Sequence, residues 1–136
     1  MTNPAVHVET DMGIMTTNTY QAIRELLENR QPREALAMLE PLIADEPGNL
    51  SLRVLRAWGL FARAALGPAE QELRHIVEAD PSDVWARFTL GRTLERQSRL
   101  AEALPHLRLA FAMSGDLEHE VAVLRVERSL GRLGTD

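Results

Sequence analysis

The chain contains no cysteine and no lysine, and all 15 of its basic residues are arginine. The missing cysteine excludes a disulfide framework, a thiolate metal site and a cysteine nucleophile. The missing lysine excludes a Schiff base, a pyridoxal-phosphate attachment and a P-loop lysine. No serine lies in the Gly-x-Ser-x-Gly pattern of a nucleophile elbow. We therefore expect that the protein is not an enzyme and needs no cofactor.

Aromatic residues are also scarce, at 4% of the 136 residues, whereas leucine and alanine dominate. This composition favours helices over sheets, and the length is typical of one domain. No stretch reaches the length of a transmembrane segment, and residues 1–15 lack the basic and apolar regions of a secretory signal. We therefore expect an all-α cytoplasmic protein that does not act at a membrane.

The formal net charge is −5, so the chain lacks the basic footprint of a nucleic-acid-binding protein. Charge is unevenly distributed, with −3 over residues 16–49 and +2 over residues 84–117. One interpretation is that an acidic peptide or a C-terminal carboxylate binds Arg92 and Arg96, with Arg24 as a further contact. The other is a solvated helix face with ordinary Glu–Arg pairs, and both interpretations stay open.

A repeat of 34 residues organises the chain. Pro47 and Pro81, which are one period apart, each follow an acidic residue. The same step aligns six further columns of similar residues: Leu26, Leu60 and Leu94; Ala35, Ala69 and Ala103; Leu39, Leu73 and Leu107; Leu42, Ile76 and Ala110; Ile23, Ala57 and Gly91; Tyr20, Val54 and Phe88. So many coincident columns at one spacing indicate a structural repeat.

Apolar residues recur at helical spacing within each repeat, and breakers divide each repeat into two helices. The predicted helices cover residues 18–29, 33–45, 50–65, 68–79, 83–96, 99–113 and 117–132. Pro32 and Pro68 stand where second helices begin, and Ser98 is the predicted cap of the corresponding third-repeat helix. Residues 1–15 are predicted to be a flexible tail, followed by one repeat domain over 16–136.

These columns resemble the tetratricopeptide repeat (TPR) family over about residues 16–117. The match is strongest in the third repeat, through Leu90-Gly91, Leu94, Ala103, Leu107, Ala110 and the Asp80-Pro81 boundary. The resemblance implies an α-solenoid of three helix-turn-helix units, at about 16–49, 50–83 and 84–117. The helix at 117–132 would then cover the open end of the stack.

In the TPR family the first helix of each pair lines a concave groove, so the resemblance implies a partner-binding groove here. Its best candidate residues are Tyr20, Arg24, Val54, Trp58, Phe61, Trp85, Phe88, Arg92 and Arg96, and the wider wall adds Thr17, Leu27, Ser51, Leu55, Thr89 and Glu95. Trp, Tyr and Arg are enriched at binding hot spots. Two alternatives stay open: Trp58 and Trp85 are plain core residues, or the N-terminal tail fills the groove.

The histidines show no metal-binding pattern. The densest set of ligand-type residues is Glu118-His119-Glu120, but adjacent helical residues point to different faces. We interpret these three residues as a solvated first turn and expect no metal site.

We expect the protein to be an adaptor that binds a peptide or helix of another protein. The alternatives are self-association through one of two apolar seams on the last helix, and a chaperone role. The seams are Leu117, Val121 and Leu124, and Val123, Val126, Leu130 and Leu133. TPR co-chaperones hold the terminal carboxylate of heat-shock proteins in a basic clamp, whose places here hold Tyr20, Arg24, Leu55, Trp85 and Thr89. Only Arg24 is basic, so we predict against that class of partner.

Overall fold

The computed structural model describes residues 17–134, and all regular structure within that range is α-helical. The helices are α1 (Thr17–Glu28), α2 (Pro32–Asp45), α3 (Leu50–Ala62), α4 (Leu66–Ala79), α5 (Val84–Arg96), α6 (Leu100–Ser114) and α7 (Leu117–Gly134). Each end lies within about three residues of its prediction, so the all-α helical-repeat fold is confirmed. The predicted tail at 1–15 lies outside the described residues. None of the helices described combines the length and apolarity needed to cross a bilayer.

The described residues form two compact units, divided between Arg63 and Ala64. In the first unit α1, α2 and α3 pack on one another. In the second unit α5 packs on α4, α6 and α7, and α6 also packs on α7. A single repeat domain over residues 16–136 stays a prediction.

The residue columns of the 34-residue repeat form the core of both units. Members of two columns have no exposed surface at all: Ala35, Ala69 and Ala103, and Leu39, Leu73 and Leu107. The alanines allow close helix approach, and the leucines fill the space between helices. The sequence period therefore predicts the buried faces correctly.

Two side-chain caps, also 34 residues apart, begin the first helices of the second and third repeats. Asn49 Oδ1 accepts a hydrogen bond from the Leu52 amide at 3.2 Å, and Asp83 Oδ1 accepts one from the Ala86 amide at 2.9 Å. Each cap satisfies an amide that has no partner within its own helix. α3 and α5 therefore begin at equivalent positions of the repeat.

The turns after α1, α3 and α5 each contain a non-glycine residue in the left-handed region. Arg30, Ala64 and Ser98, spaced by one repeat, all have φ of 62°. At the third turn the Arg99 amide donates to the Leu94 carbonyl at 3.0 Å, which is the long-range bond of a Schellman motif. The predicted capping role of Ser98 is wrong, because Ser98 closes α5. Arg99 is the N-cap residue of α6 and makes no side-chain cap bond.

Gly91 lets α5 approach α6 closely. A Cβ atom at this position would lie 2.6 Å from Leu107 Cδ2 and 3.3 Å from the Leu107 backbone nitrogen. Leu107 is completely buried, so its side chain has no free space to move into. The small residue predicted from the repeat column is therefore required by the helix contact.

We expect Gly91→Ala to lower the free energy of unfolding by about 1–3 kcal/mol, because the methyl group overpacks the α5–α6 contact. The matched control is Gly131→Ala at an exposed position of α7, where no atom lies within 4 Å of the new Cβ. That change should raise stability by up to about 1 kcal/mol through helix propensity. Urea unfolding of both variants tests the difference, and equal stabilisation by both would contradict the close contact.

An ion-pair network connects α4 with the start of α6. Arg99 Nη1 lies 2.7 Å from Glu70 Oε1, and Arg99 Nη2 lies 2.7 Å from Glu102 Oε1. Burial raises the pKa of Glu70, but hydrogen bonds from Arg99, Arg74 and Gln97 outweigh burial and hold that pKa below its ordinary value. The carboxylate form of Glu70 therefore stabilises the folded unit.

Glu70→Gln should lower the free energy of unfolding by about 1 kcal/mol at pH 7. Because the pKa of Glu70 is lower in the folded state than in the unfolded state, its carboxylate stabilises the fold fully above the unfolded-state pKa. This stabilisation is lost as pH falls through the folded-state pKa. The difference between wild type and variant should therefore shrink on acidification. Glu25→Gln, at an exposed position of α1, is the control and should have little effect at either pH. A Glu70→Gln deficit that persists in acid would contradict the pKa assignment.

Candidate functional site

The predicted groove residues are distributed over both units. α1 and α3 hold Tyr20, Arg24, Val54, Trp58 and Phe61, and α5 holds Trp85, Phe88, Arg92 and Arg96. Every one of these side chains is at least partly exposed. Two equivalent columns are half-buried throughout: Tyr20, Val54 and Phe88, and Arg24, Trp58 and Arg92. The repeat therefore places the same helix face at the edge of the core each time.

Three residues of the wider predicted wall belong to the core instead. Leu27 is 4% exposed, Leu55 1% and Thr89 4%, so their assignment to the wall is wrong. Each of these residues lies beside the exposed face of its helix and points toward neighbouring helices, because the exposed face of a packed helix is narrow. The side chain of Thr17 lies outside the described part of the chain.

On the first unit, a cation–π contact joins α1 to α3. The Arg24 guanidinium carbon lies 5.7 Å from the centroid of the Trp58 ring. Arg24 Nη2 also donates to Glu28 Oε2 at 3.4 Å, one turn along α1. These contacts hold Trp58 half-buried, with part of its indole available to solvent.

On the second unit, α5 and α7 enclose a concavity of about 400 Å³. It is lined by Phe88 and Arg92 of α5 and by Leu117, Glu118, Val121, Ala122 and Arg125 of α7. Leu117 is 72% exposed and Val121 48% exposed, although both are apolar. Trp85, one turn before Phe88, is 38% exposed, so it is not a core residue. Apolar side chains therefore surround this concavity without being covered.

The ring of Phe88 stacks on His119, with centroids 4.1 Å apart and an interplanar angle of 26°. His119 Nδ1 forms a 2.7 Å hydrogen bond with Ser114 Oγ, which also accepts the Asp116 amide at 3.0 Å. His119 is only 6% exposed, so the expectation of a solvated turn is wrong at this residue. The α5–α7 contact buries it, and no local sequence signal indicates that contact.

Glu95 neutralises much of the positive charge beside the concavity. Arg125 binds this carboxylate with two hydrogen bonds, of 2.6 and 2.8 Å, and Arg92 Nε lies 3.2 Å from Glu95 Oε1. The hydrogen bonds to Glu95 raise the pKa of Arg125. Arg125 is thus paired through hydrogen bonds, and Arg92 lies within ion-pair distance of the same carboxylate although its Nε makes no hydrogen bond. This shared carboxylate disfavours an acidic ligand at this position. Sequence reasoning did not include Arg125 in the site, because the pair joins residues 30 positions apart.

Within residues 17–134, no group of three histidine, aspartate or glutamate side chains is arranged to hold a metal ion. The concavity and the Trp58 face instead present apolar and aromatic surface with paired guanidinium groups. Surfaces of this kind suit contacts with another polypeptide.

Comparison with known proteins places the chain among helical repeats. Residues 26–87 match the family model described as tetratricopeptide repeat. No curated protein matches the sequence. The first TPR domain of human RPAP3 superimposes with a TM-score of 0.76 at 16% identity, covering 86% of this chain and 93% of that domain.

Two further solved structures are similar. The structure titled MamA MSR-1 has a TM-score of 0.70 at 21% identity, and the match covers 78% of this chain but only 62% of the MamA chain. The second TPR domain of human RPAP3, solved in complex with an HSP70 peptide, has a TM-score of 0.71 at 16% identity. That match covers 79% of this chain and 90% of the RPAP3 domain.

Proposed function

Because the chain belongs to the tetratricopeptide repeat family, we propose that it is a non-catalytic interaction module that binds a peptide or helix of a partner protein. A repeat scaffold supplies shape, and a few exposed side chains supply specificity. The peptide-bound neighbour, the second TPR domain of RPAP3, supports the general class of function. The cytoplasmic location and the chaperone alternative stay predictions.

The α5–α7 concavity is the proposed anchor site. Its uncovered apolar residues, Leu117 and Val121 beside Phe88, are the observation that carries this proposal. An apolar partner side chain entering the concavity would remove these surfaces from water, which is favourable in proportion to the area covered. Trp85, one turn before Phe88, and Arg96, one turn after Arg92, would contact the same partner on α5.

The face of Tyr20, Arg24, Val54, Trp58 and Phe61 is proposed as a second contact surface. Its indole and guanidinium groups are of the types that contribute most to binding energy. We expect the partner to be recognised by the aromatic groups of this face rather than by its charge. The prediction against a terminal-carboxylate clamp is retained.

We expect Trp85→Ala and Trp58→Ala each to weaken partner binding by more than about 1 kcal/mol, because each removes a large exposed contact. Peptides selected from a random displayed library are the probe, and calorimetry gives the dissociation constants. Leu109→Ala is the matched control, since Leu109 is an exposed apolar residue of α6 that does not line the concavity.

Circular dichroism must show cooperative unfolding for each variant. If both tryptophan variants lose cooperative unfolding, these residues are structural and the site assignment fails. The assignment also fails if both variants bind the selected peptides as tightly as wild type.

Self-association is the second candidate function, and the division of α7 into two faces favours it. Val123 and Val126 are buried at 8% and 0% exposure, whereas Leu124 on the other seam is 49% exposed. The exposed side has Glu118 near its beginning and Arg128 near its end. Antiparallel pairing of two α7 helices would place unlike charges opposite each other around a two-fold axis.

Leu124→Glu separates the two candidate functions, because Leu124 lies on the exposed seam but does not line the concavity. If α7 is a dimer interface, wild type should shift toward dimer with concentration in sedimentation equilibrium, and Leu124→Glu should stay monomeric. Leu109→Glu is the control and should behave as wild type. A wild-type protein that stays monomeric at high concentration would rule out the dimer without affecting peptide binding.

A further inference from the structure

A second cavity, of about 660 Å³, lies among α4, α5 and α6 and shares no lining residue with the α5–α7 concavity. It is lined by Gln71, Arg74, His75, Val77, Glu78, Arg87, Leu90 and His106. Four of these residues carry nitrogen groups that are cationic or become so on protonation. The proposed partner-binding function uses none of them.

Arg87 is the unusual member of this set, because its positive charge has no carboxylate partner among residues 17–134. Its Nε atom is buried without a hydrogen-bond acceptor, and its Nη1 atom lies 3.4 Å from His106 Nδ1. A buried donor without an acceptor is unfavourable and uncommon in folded proteins. By contrast, Arg74 lies 2.9 Å from Glu70 and 3.7 Å from Glu102.

His106 contributes a titratable imidazole to the cavity. Burial lowers its pKa, and the charges of Arg87 and Arg74 lower it further, while Glu102 acts in the opposite direction. An imidazole placed beside two guanidinium groups gains a proton more readily when an anion is present. Glu78 is the acidic member of the lining, and it opposes anion binding.

We propose that this cavity binds a small tetrahedral oxyanion of the phosphate class, held by Arg87 with His106 beside it. A planar guanidinium donates two parallel hydrogen bonds to such an ion, and His106 supplies a further donor when protonated. The anion supplies the negative charge that Arg87 lacks among the described residues. The group can be free phosphate or the phosphate of a modified side chain, since both present the same oxygens.

Sodium sulfate is the first probe, because its charge stays constant over the pH range in which histidine titrates. We expect saturable NMR shifts at Arg87 and His106 in the full chain, with ionic strength held constant by sodium chloride. Sulfate should also raise the pKa of His106, so binding should tighten as pH falls through that pKa. Shifts that stay linear with sulfate, or an unchanged His106 pKa, would overturn the proposal.

Arg87→Gln should weaken sulfate binding about tenfold or more, because the guanidinium is lost. Arg108→Gln is the control, since Arg108 is exposed on α6, pairs with Glu127 at 2.7 Å and does not line the cavity. Glu78→Gln is a second test, because it should increase sulfate binding and its result does not depend on whether Arg87→Gln folds. Removing this exposed carboxylate should tighten sulfate binding about two- to fivefold.

Equal affinities in wild type and Glu78→Gln, or in wild type and folded Arg87→Gln, would contradict an oxyanion site. Inorganic phosphate and N-acetyl-phosphoserine amide distinguish the sources. Tighter binding of phosphate assigns a free ion, and tighter binding of the phosphoserine amide assigns a phosphorylated polypeptide. Failure of both compounds to bind would overturn the proposal, and it would leave the α5–α7 partner site untouched.

Discussion

Close contact between neighbouring helices within each unit is the constraint on which the rest of the structure depends. At Gly91 the distance between α5 and α6 leaves no room for a Cβ atom against Leu107. Ala35, Ala69 and Ala103 occupy equivalent, fully buried positions in the three repeats. Because these contacts recur with the sequence period, they fix which face of each first helix is left at the edge of the core. That face holds the aromatic and arginine side chains proposed to bind a partner.

The sequence period was sufficient to predict the helices and most of the core, because both depend on regular local spacing. It did not predict the left-handed residues Arg30, Ala64 and Ser98, since none is glycine and their conformation is set by helix-closing hydrogen bonds. The buried positions of Leu27 and Thr89 were also missed. A shift of one position along a helix rotates the side chain by about 100°. The repeat columns show which positions are equivalent, but they do not show which of two adjacent positions is exposed.

The site on the second unit depends on contacts that no local pattern indicates. Arg125 reaches Glu95 across 30 residues of sequence, and His119 stacks on Phe88 from a different helix. The same Glu95 carboxylate also pairs with Arg92, which the sequence presents as available. The stacking of His119 fixes one face of Phe88 and leaves the surrounding apolar side chains of α7 uncovered. The proposed partner is therefore selected by an apolar anchor, while Arg87 and His106 provide a separate place for an anion.

The α5–α7 concavity is the proposed principal contact with a partner peptide. Methyl and aromatic NMR spectra of the full chain, recorded while a selected peptide is added, test this claim most directly. The largest shifts should occur at the methyl groups of Leu117 and Val121 and at the ring of Phe88. Shifts confined to exposed residues of α6, such as Leu109 and Met113, with the concavity unchanged, would contradict it.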